Sequence, residues 1–234
     1  MPVLLVSMLR ASSMSQNSPS VSCQSASAEI VAAQVSAPIV LDAGHPSKEW
    51  ELTTPISFCE DWQGKNAAPE RATVVRALWS PEMLYLRFEC RYTQMTVFGD
   101  SEPNGRRDHL WDRDVAETFL QPDSSKEKFY KEFEVAPNGM WIDLDIGTGE
   151  LVDLKSGLQR SVVVNEKAHQ WVAELAIPMK ALTANFDPKV EWRTNFFRVE
   201  GAAEPRHYYA WRATNTEQPN FHVPKAFGKM RFAP

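Results

Sequence analysis

The chain has 234 residues, with 25 Lys and Arg against 30 Asp and Glu, a formal charge of −5 and a pI of about 5.6. Hydrophobic residues make up 43% and charged residues 24%, ordinary globular usage that excludes a wholly disordered chain, a collagen or a coiled coil. The acidic balance argues against nucleic acid, whose partners carry basic patches, and the longest basic run is Arg106-Arg107.

The N-terminal run Val3–Leu9 is apolar but short, with no basic region before it and Arg10 after it. It is a poor match to a secretory signal, and a cytoplasmic location stays open. The true start is open between Met1 and Met14. Residues 1–29 are rich in Ser and read as a disordered lead, and residues 30–234 read as one domain. No apolar run reaches the ~20 residues of a membrane-spanning helix.

From residue 29 onward the dominant period is two. In Leu84–Arg91, Leu84, Leu86, Phe88 and Cys90 alternate with Tyr85, Arg87, Glu89 and Arg91, which predicts a half-buried strand. Similar segments fall at 29–35, 54–59, 71–79, 115–120, 129–136, 140–146, 160–165, 170–177, 192–199 and 207–211. Turn chemistry separates many of them, as at Ser80-Pro81-Glu82 and Pro137-Asn138-Gly139. The spacing predicts an all-β, antiparallel sandwich or barrel. Helical turns are expected only at 178–182 and 224–228. Two long connections, 92–113 and 212–223, stand out as sites of function.

Three Cys make no metal-finger spacing. Cys59 and Cys90 are open between a disulfide, in an oxidising compartment, and two buried thiols. Eight Trp exceed five Tyr. Trp79, Trp171 and Trp192 alternate with polar residues on strands and read as core, with Trp50 as a packing anchor. Trp141 shares a strand face with Asp143 and Asp145 and reads as exposed. Trp211 shares a face with His207 and Tyr209, just before the second long loop and near the expected cleft.

Several segments, in order, resemble family 9 carbohydrate-binding modules. Leu110-Trp-Asp-Arg-Asp-Val-Ala-Glu-Thr-Phe-Leu-Gln-Pro122 is similar to the family's Trp-x-x-Asp-x-x-Glu-x-Phe segment. Ile39–Asp42 with Trp50, Val75–Trp79 with Leu84–Leu86, Tyr130–Val135, and Ala210-Trp211 with Pro224–Phe232 resemble its other segments. The resemblance covers about residues 30–232. It implies a jelly-roll β-sandwich related to DOMON domains, with one or two short helical turns. It also implies non-catalytic binding of glycan chain ends or short oligosaccharides, in bacterial carbohydrate breakdown. A separate carbohydrate-active enzyme is the implied partner, and secretion or a periplasmic location the implied setting. Two Trp clamp the sugar in characterised members. Trp111 falls on the first clamp position, Phe221 aligns with the second, and Glu117 matches a sugar-contacting Glu. A family Arg corresponds to Glu134, which reverses the charge. Structural calcium is also implied, without a residue-by-residue match.

Sugar rings present C–H faces to aromatic walls and hydroxyls to polar groups. The expected ligand set is therefore Trp111, Phe221, Glu117, Asp114 and Trp211, against the simpler reading that these rings only pack loops. Asp143 and Asp145 share one strand face and are the weak calcium candidates, against a solvated face. Glycoside hydrolysis by carboxylates near 112–117 is an alternative, which would need two of them across the scissile bond. Haem is another, with Met140 and His169 as ligand candidates.

Overall fold

The computed structural model describes residues 23–147 and 152–234. The period-two segments become strands and two unpredicted strands, β8 and β13, join them, giving among the described residues β1 Glu29–Gln34, β2 Ile56–Phe58, β3 Thr73–Trp79, β4 Met83–Arg91, β5 Val115–Gln121, β6 Tyr130–Val135, β7 Trp141–Ile146, β8 Val152–Asp153, β9 Gln159–Asn165, β10 Gln170–Pro178, β11 Trp192–Glu200, β12 His207–Ala210 and β13 Gly228–Ala233. Helix is confined to α1, Met179–Leu182, and short 3-10 turns such as Leu110–Asp112 and Pro224–Ala226. The run after Pro224, read as one helical turn closed by Gly228, divides into a three-residue turn and β13.

The strands follow one path, β8-β7-β6-β5-β11-β13-β1-β3-β4-β10-β9, with β12 on β11 and β2 on β3. Every ladder is antiparallel except those of β1, which runs parallel to β13 and to β3. A parallel return needs a connection of a dozen residues or more, and between β1 and β3 residues 35–72, β2 among them, supply it. The path curls into a β-sandwich, so that its two halves share a core. Phe133 and Phe196 from one half meet Phe88, Leu86 and Leu175 from the other. The Phe88 and Phe196 rings sit 5.9 Å apart, edge to face.

Both outer faces are also covered. Residues 35–52 lie across β3, β4 and β10, where Trp50 packs with Val35, Leu78 and Tyr85. β4 is therefore not half-buried as its alternation predicts. Tyr85 and Arg87 on its second face are sealed too, and Arg87 donates to Glu174 at 2.5 Å. Across β5, β6, β7, β11 and β12 the two long connections pack instead, giving a second apolar layer with Leu110, Phe119, Phe197, Phe221 and Phe227. The site lies there.

Two sequence expectations change. Cys59 bonds Cys23, with Cα atoms 5.7 Å apart, and Cys90 is a buried free thiol. Cys90, next to last in β4, points into the shared core, and Cys59 is taken up by Cys23. The disulfide also anchors the end of the Ser-rich lead. Ser25 N donates to Ser57 O, and the Gln24 carboxamide receives the amides of Cys59 and Glu60. The packed chain thus begins by Cys23 rather than residue 30, while residues 1–22 of the expected disordered lead lie outside the described residues.

Candidate functional site

The floor of the site follows from strand register. On β6, Phe133 and Val135 point into the shared core, so Tyr130, Glu132 and Glu134 must point out. On β5, Ala116 and Leu120 point in and Glu117 points out. Glu117 stands directly opposite Glu134, and Phe119 opposite Glu132. Three carboxylates therefore meet on one face, with oxygens all within 4.8 Å of one another. They are 2%, 3% and 0% exposed for Glu117, Glu132 and Glu134.

Such a cluster is costly when charged. Opposed like charges destabilise a strand pair, and buried charges need partners. Among the described residues, no N–H or hydroxyl donates to either oxygen of Glu134 or to Oε2 of Glu132, and the partner at hand for each acid is the other's carboxyl. Burial raises the Glu134 pKa well above the usual carboxylate range, and the charges of Glu117 and Glu132 add to it. Glu117 is raised for the same reasons, burial first and then Glu132, with Arg206 opposing. Burial pushes Glu132 up to about 7.

The walls come from the two long connections. In the first, Leu110 is fully buried and pins the turn Leu110–Asp112, which leaves Trp111 half-buried at the rim. In the second, Phe221 lies flat on Phe197 with centroids 4.1 Å apart and planes 11° from parallel. Phe197 is the β11 neighbour of Glu117, so this stack sets Phe221 beside the carboxylates. Tyr208 of β12 meets the Phe221 edge at 6.1 Å. Tyr130 Oη and His222 Nδ1 hydrogen-bond at 2.7 Å, tying the second loop to β6. Arg206 joins the walls by donating to the carbonyls of Gly201 and Trp111.

Together these residues enclose a cavity of about 240 Å³, lined by Trp111, Phe221, Tyr208, His222, Asn220, Pro219, Arg206, Leu144, Val199 and the three Glu. Flat apolar walls over a polar floor suit a ring with hydroxyls around its edge.

The sequence profile described as "Carbohydrate family 9 binding domain-like" matches residues 41–233. The chain belongs to that family. An "Extracellular protein" of Arthroderma benhamiae is 23% identical over 179 residues, covering 70% of this chain and 80% of the relative. Among solved structures, a candidate carbohydrate-binding protein of Bacteroides uniformis superposes with a TM-score of 0.66 at 14% identity, over 87% of this chain and 98% of that one. A family 9 module of Caldicellulosiruptor kristjanssonii, solved with cellotriose, superposes with a TM-score of 0.62 at 14% identity, over 88% and 93% of the two chains. The same organism's module with glucose gives 0.61 at 15% identity, over 87% and 95%.

Within this family 9 domain, the structure brings Trp111, Phe221 and Glu117 to one cavity. It does not bring Asp114 or Trp211 there. Asp114 is fully buried, and its carboxylate receives the amides of Gly201 and Thr96 at 2.7 and 3.1 Å. It fastens the bases of two loops rather than facing a ligand. Trp211 is 1% exposed and packs in the shared core against Phe196, because the chain turns inward after β12. Trp141 is buried rather than exposed, with its indole N–H on Asn104 O.

The calcium candidates do not fit a cation. Asp143 is buried and receives Ser156 N at 2.7 Å, while Asp145 pairs with Lys131 Nζ at 2.6 Å. Met140 packs on the apolar layer beneath the two long connections, while the His169 ring packs on Tyr92, just after β4, so the haem pair is not assembled. Sequence reading passed over Glu132, Arg206, Tyr208, Asn220 and His222. The alternation of Tyr130, Glu132 and Glu134 against Phe133 and Val135 was the available signal for the floor. The contributions of Arg206, Asn220 and His222 depend on loop paths, which carry no periodicity.

Proposed function

We propose that this domain binds carbohydrate without catalysis, seating the terminal ring of a glycan between Trp111 and Phe221. The carrying observation is that the two long connections meet over one polar floor, with an aromatic ring from each. Trp111 stacks on one face of the sugar and Phe221 covers the other. Glu117, with its neighbours on β6, accepts hydroxyl hydrogen bonds. The volume, about 240 Å³, lies below the ~300–1,000 Å³ of larger ligand pockets, which favours a single ring over a long chain segment. Family membership supports the reading, as do the cellotriose and glucose held by the Caldicellulosiruptor kristjanssonii module.

Carboxylate placement favours binding over hydrolysis. Retaining and inverting glycosidases set their two carboxyls about 5–5.5 Å and 6.5–9.5 Å apart, across the bond that breaks. Here one oxygen from each of the three lies within 4.8 Å of the others, and all three rise from one floor of neighbouring strands rather than from opposite sides of the cavity. The Cys23–Cys59 bond and the name of the Arthroderma benhamiae relative support work in an oxidising, extracytoplasmic setting.

A glycan panel tests this, read both for retention of the protein and for release of reducing sugar. The expected result is retention on at least one glycan with no sugar released. Sugar release that Glu117→Gln abolishes would overturn the non-catalytic reading.

A further inference from the structure

The cleft floor carries more acid groups than a neutral sugar needs, and a bound cation would draw them into their charged form. Glu117, Glu132 and Glu134 converge on its floor, and Asp112 at the rim adds to the field at Glu134. The cavity's one guanidinium, Arg206, is engaged by the carbonyls of Gly201 and Trp111 and lies 5.3 Å over the Tyr208 ring. Glu134 is fully buried and borders the cavity, and among the described residues no base or neutral donor reaches its carboxylate oxygens, which have only the acid Glu132 beside them. A buried acid that faces a ligand cavity and meets no base in the protein is arranged for a cation that arrives with the ligand.

The walls narrow the kind of cation. A bare metal ion would gain nothing from aromatic surfaces. An ammonium gains from ring faces as well as from carboxylates, and the sugar ring that carries it stacks on Trp111. Resting on the carbohydrate reading above, we propose that the cleft recognises an amino sugar with a free, protonated amine, of the glucosamine type. The ammonium sits on Glu134 with Glu117 and Glu132 around it. Trp111 and Phe221 hold the pyranose faces. N-acetylation would remove the charge and leave the floor unpaired, so the acetylated sugar is the disfavoured one.

Calorimetric titration of the full chain with three trimers tests this: β-1,4-linked glucosamine, its N-acetylated counterpart, and cellotriose. The amine trimer is expected to bind at least tenfold more tightly than either of the others. Glu134→Gln is expected to bring the ratio of amine trimer to cellotriose affinity down near one, and Glu132→Gln gives a second variant of the same kind. Cellotriose or the acetylated trimer binding as tightly as the amine trimer would leave the carbohydrate reading intact and overturn the amino-sugar assignment. A tenfold preference that survives both substitutions would overturn it too, as loose association of a polycation. Calcium chloride alone, binding more tightly than the amine trimer and only when Glu134 is present, would give the floor to a metal and overturn the assignment. No binding of any trimer would contradict both readings.

Discussion

Glu117 and Glu134 face each other across β5 and β6 as a directly opposed pair, both buried, both acidic, and among the described residues neither matched by a base within ion-pair reach. A packed core would have apolar side chains at these positions. Alternation puts the pair on the outer face of the sandwich, but the two loops that form the cleft bury that face, so acids stand where a covered layer would be apolar. Departures of this kind concentrate where stability is given up for function.

The pair makes stability depend on pH. The folded pKa values of Glu117 and Glu134 lie well above their unfolded values, and that of Glu132 rises to about 7. A raised carboxylate pKa means that the folded state holds more protons than the unfolded one between the two values. Stability is then fullest below the unfolded value near 4.5 and falls as pH climbs through 7 and beyond. The melting temperature of the unliganded protein is expected to drop between pH 5 and pH 8. Glu134→Gln is expected to flatten that drop and to raise stability at pH 8 by about 1 kcal/mol or more, some 2–4 °C for a domain of this size. Scanning calorimetry across pH checks both.

Trp111 and Trp211 separate ligand effects from core effects. Trp111 is half-buried at the rim, so Trp111→Ala is expected to leave melting within about 2 °C. Trp211 is core, and Trp211→Ala is expected to cost about 3–5 kcal/mol. Denaturant titration of both variants decides this. Equal losses of stability would place Trp111 in the packing instead of at the rim.

Gly228 is fixed by close approach. A Cβ there would meet two Trp211 ring carbons and Ala28 O, each at 2.7 Å. Gly228→Ala must push the indole or part β13 from the residues before β1, and is expected to cost about 1–3 kcal/mol. Thermal melting checks the loss.

The disulfide closes a stretch of 36 residues between Cys23 and Cys59. Chain-entropy arguments give such a bond about 3–4 kcal/mol. Cys23→Ser, or reduction of the wild type, is expected to lower stability by that order while Cys90 stays unreactive in the folded state. Its thiol is buried, and burial raises its pKa to about 11. Thiol labelling with and without reductant reads both effects.

Most of the fold was legible because alternation is a local signal. Segments such as 170–177 and 192–199 became β10 and β11 almost as bounded. What periodicity could not reveal was what covers the outer faces. Tyr85 and Arg87 look outward by alternation and are sealed by residues 35–52, whose path is set by tertiary contacts. Trp211 misled for the same reason: its parity after β12 gave no hint that the chain turns into the core. In the site, Trp111, Phe221 and Glu117 were legible through family resemblance. The charge reversal at Glu134 was legible too, but its meaning required strand register. Only the pairing of β5 with β6 sets it against Glu117 with no base between them.

The central claim is that Trp111 and Phe221 clasp a sugar above the three carboxylates. Calorimetric titration of wild type and Trp111→Ala with the same glycans tests it most directly. The account predicts saturable binding of at least one glycan by the wild type. It also predicts a loss of at least about tenfold in the variant, or 1.4 kcal/mol, without a matching loss of stability. Unchanged affinity of Trp111→Ala for every glycan that the wild type binds would contradict it.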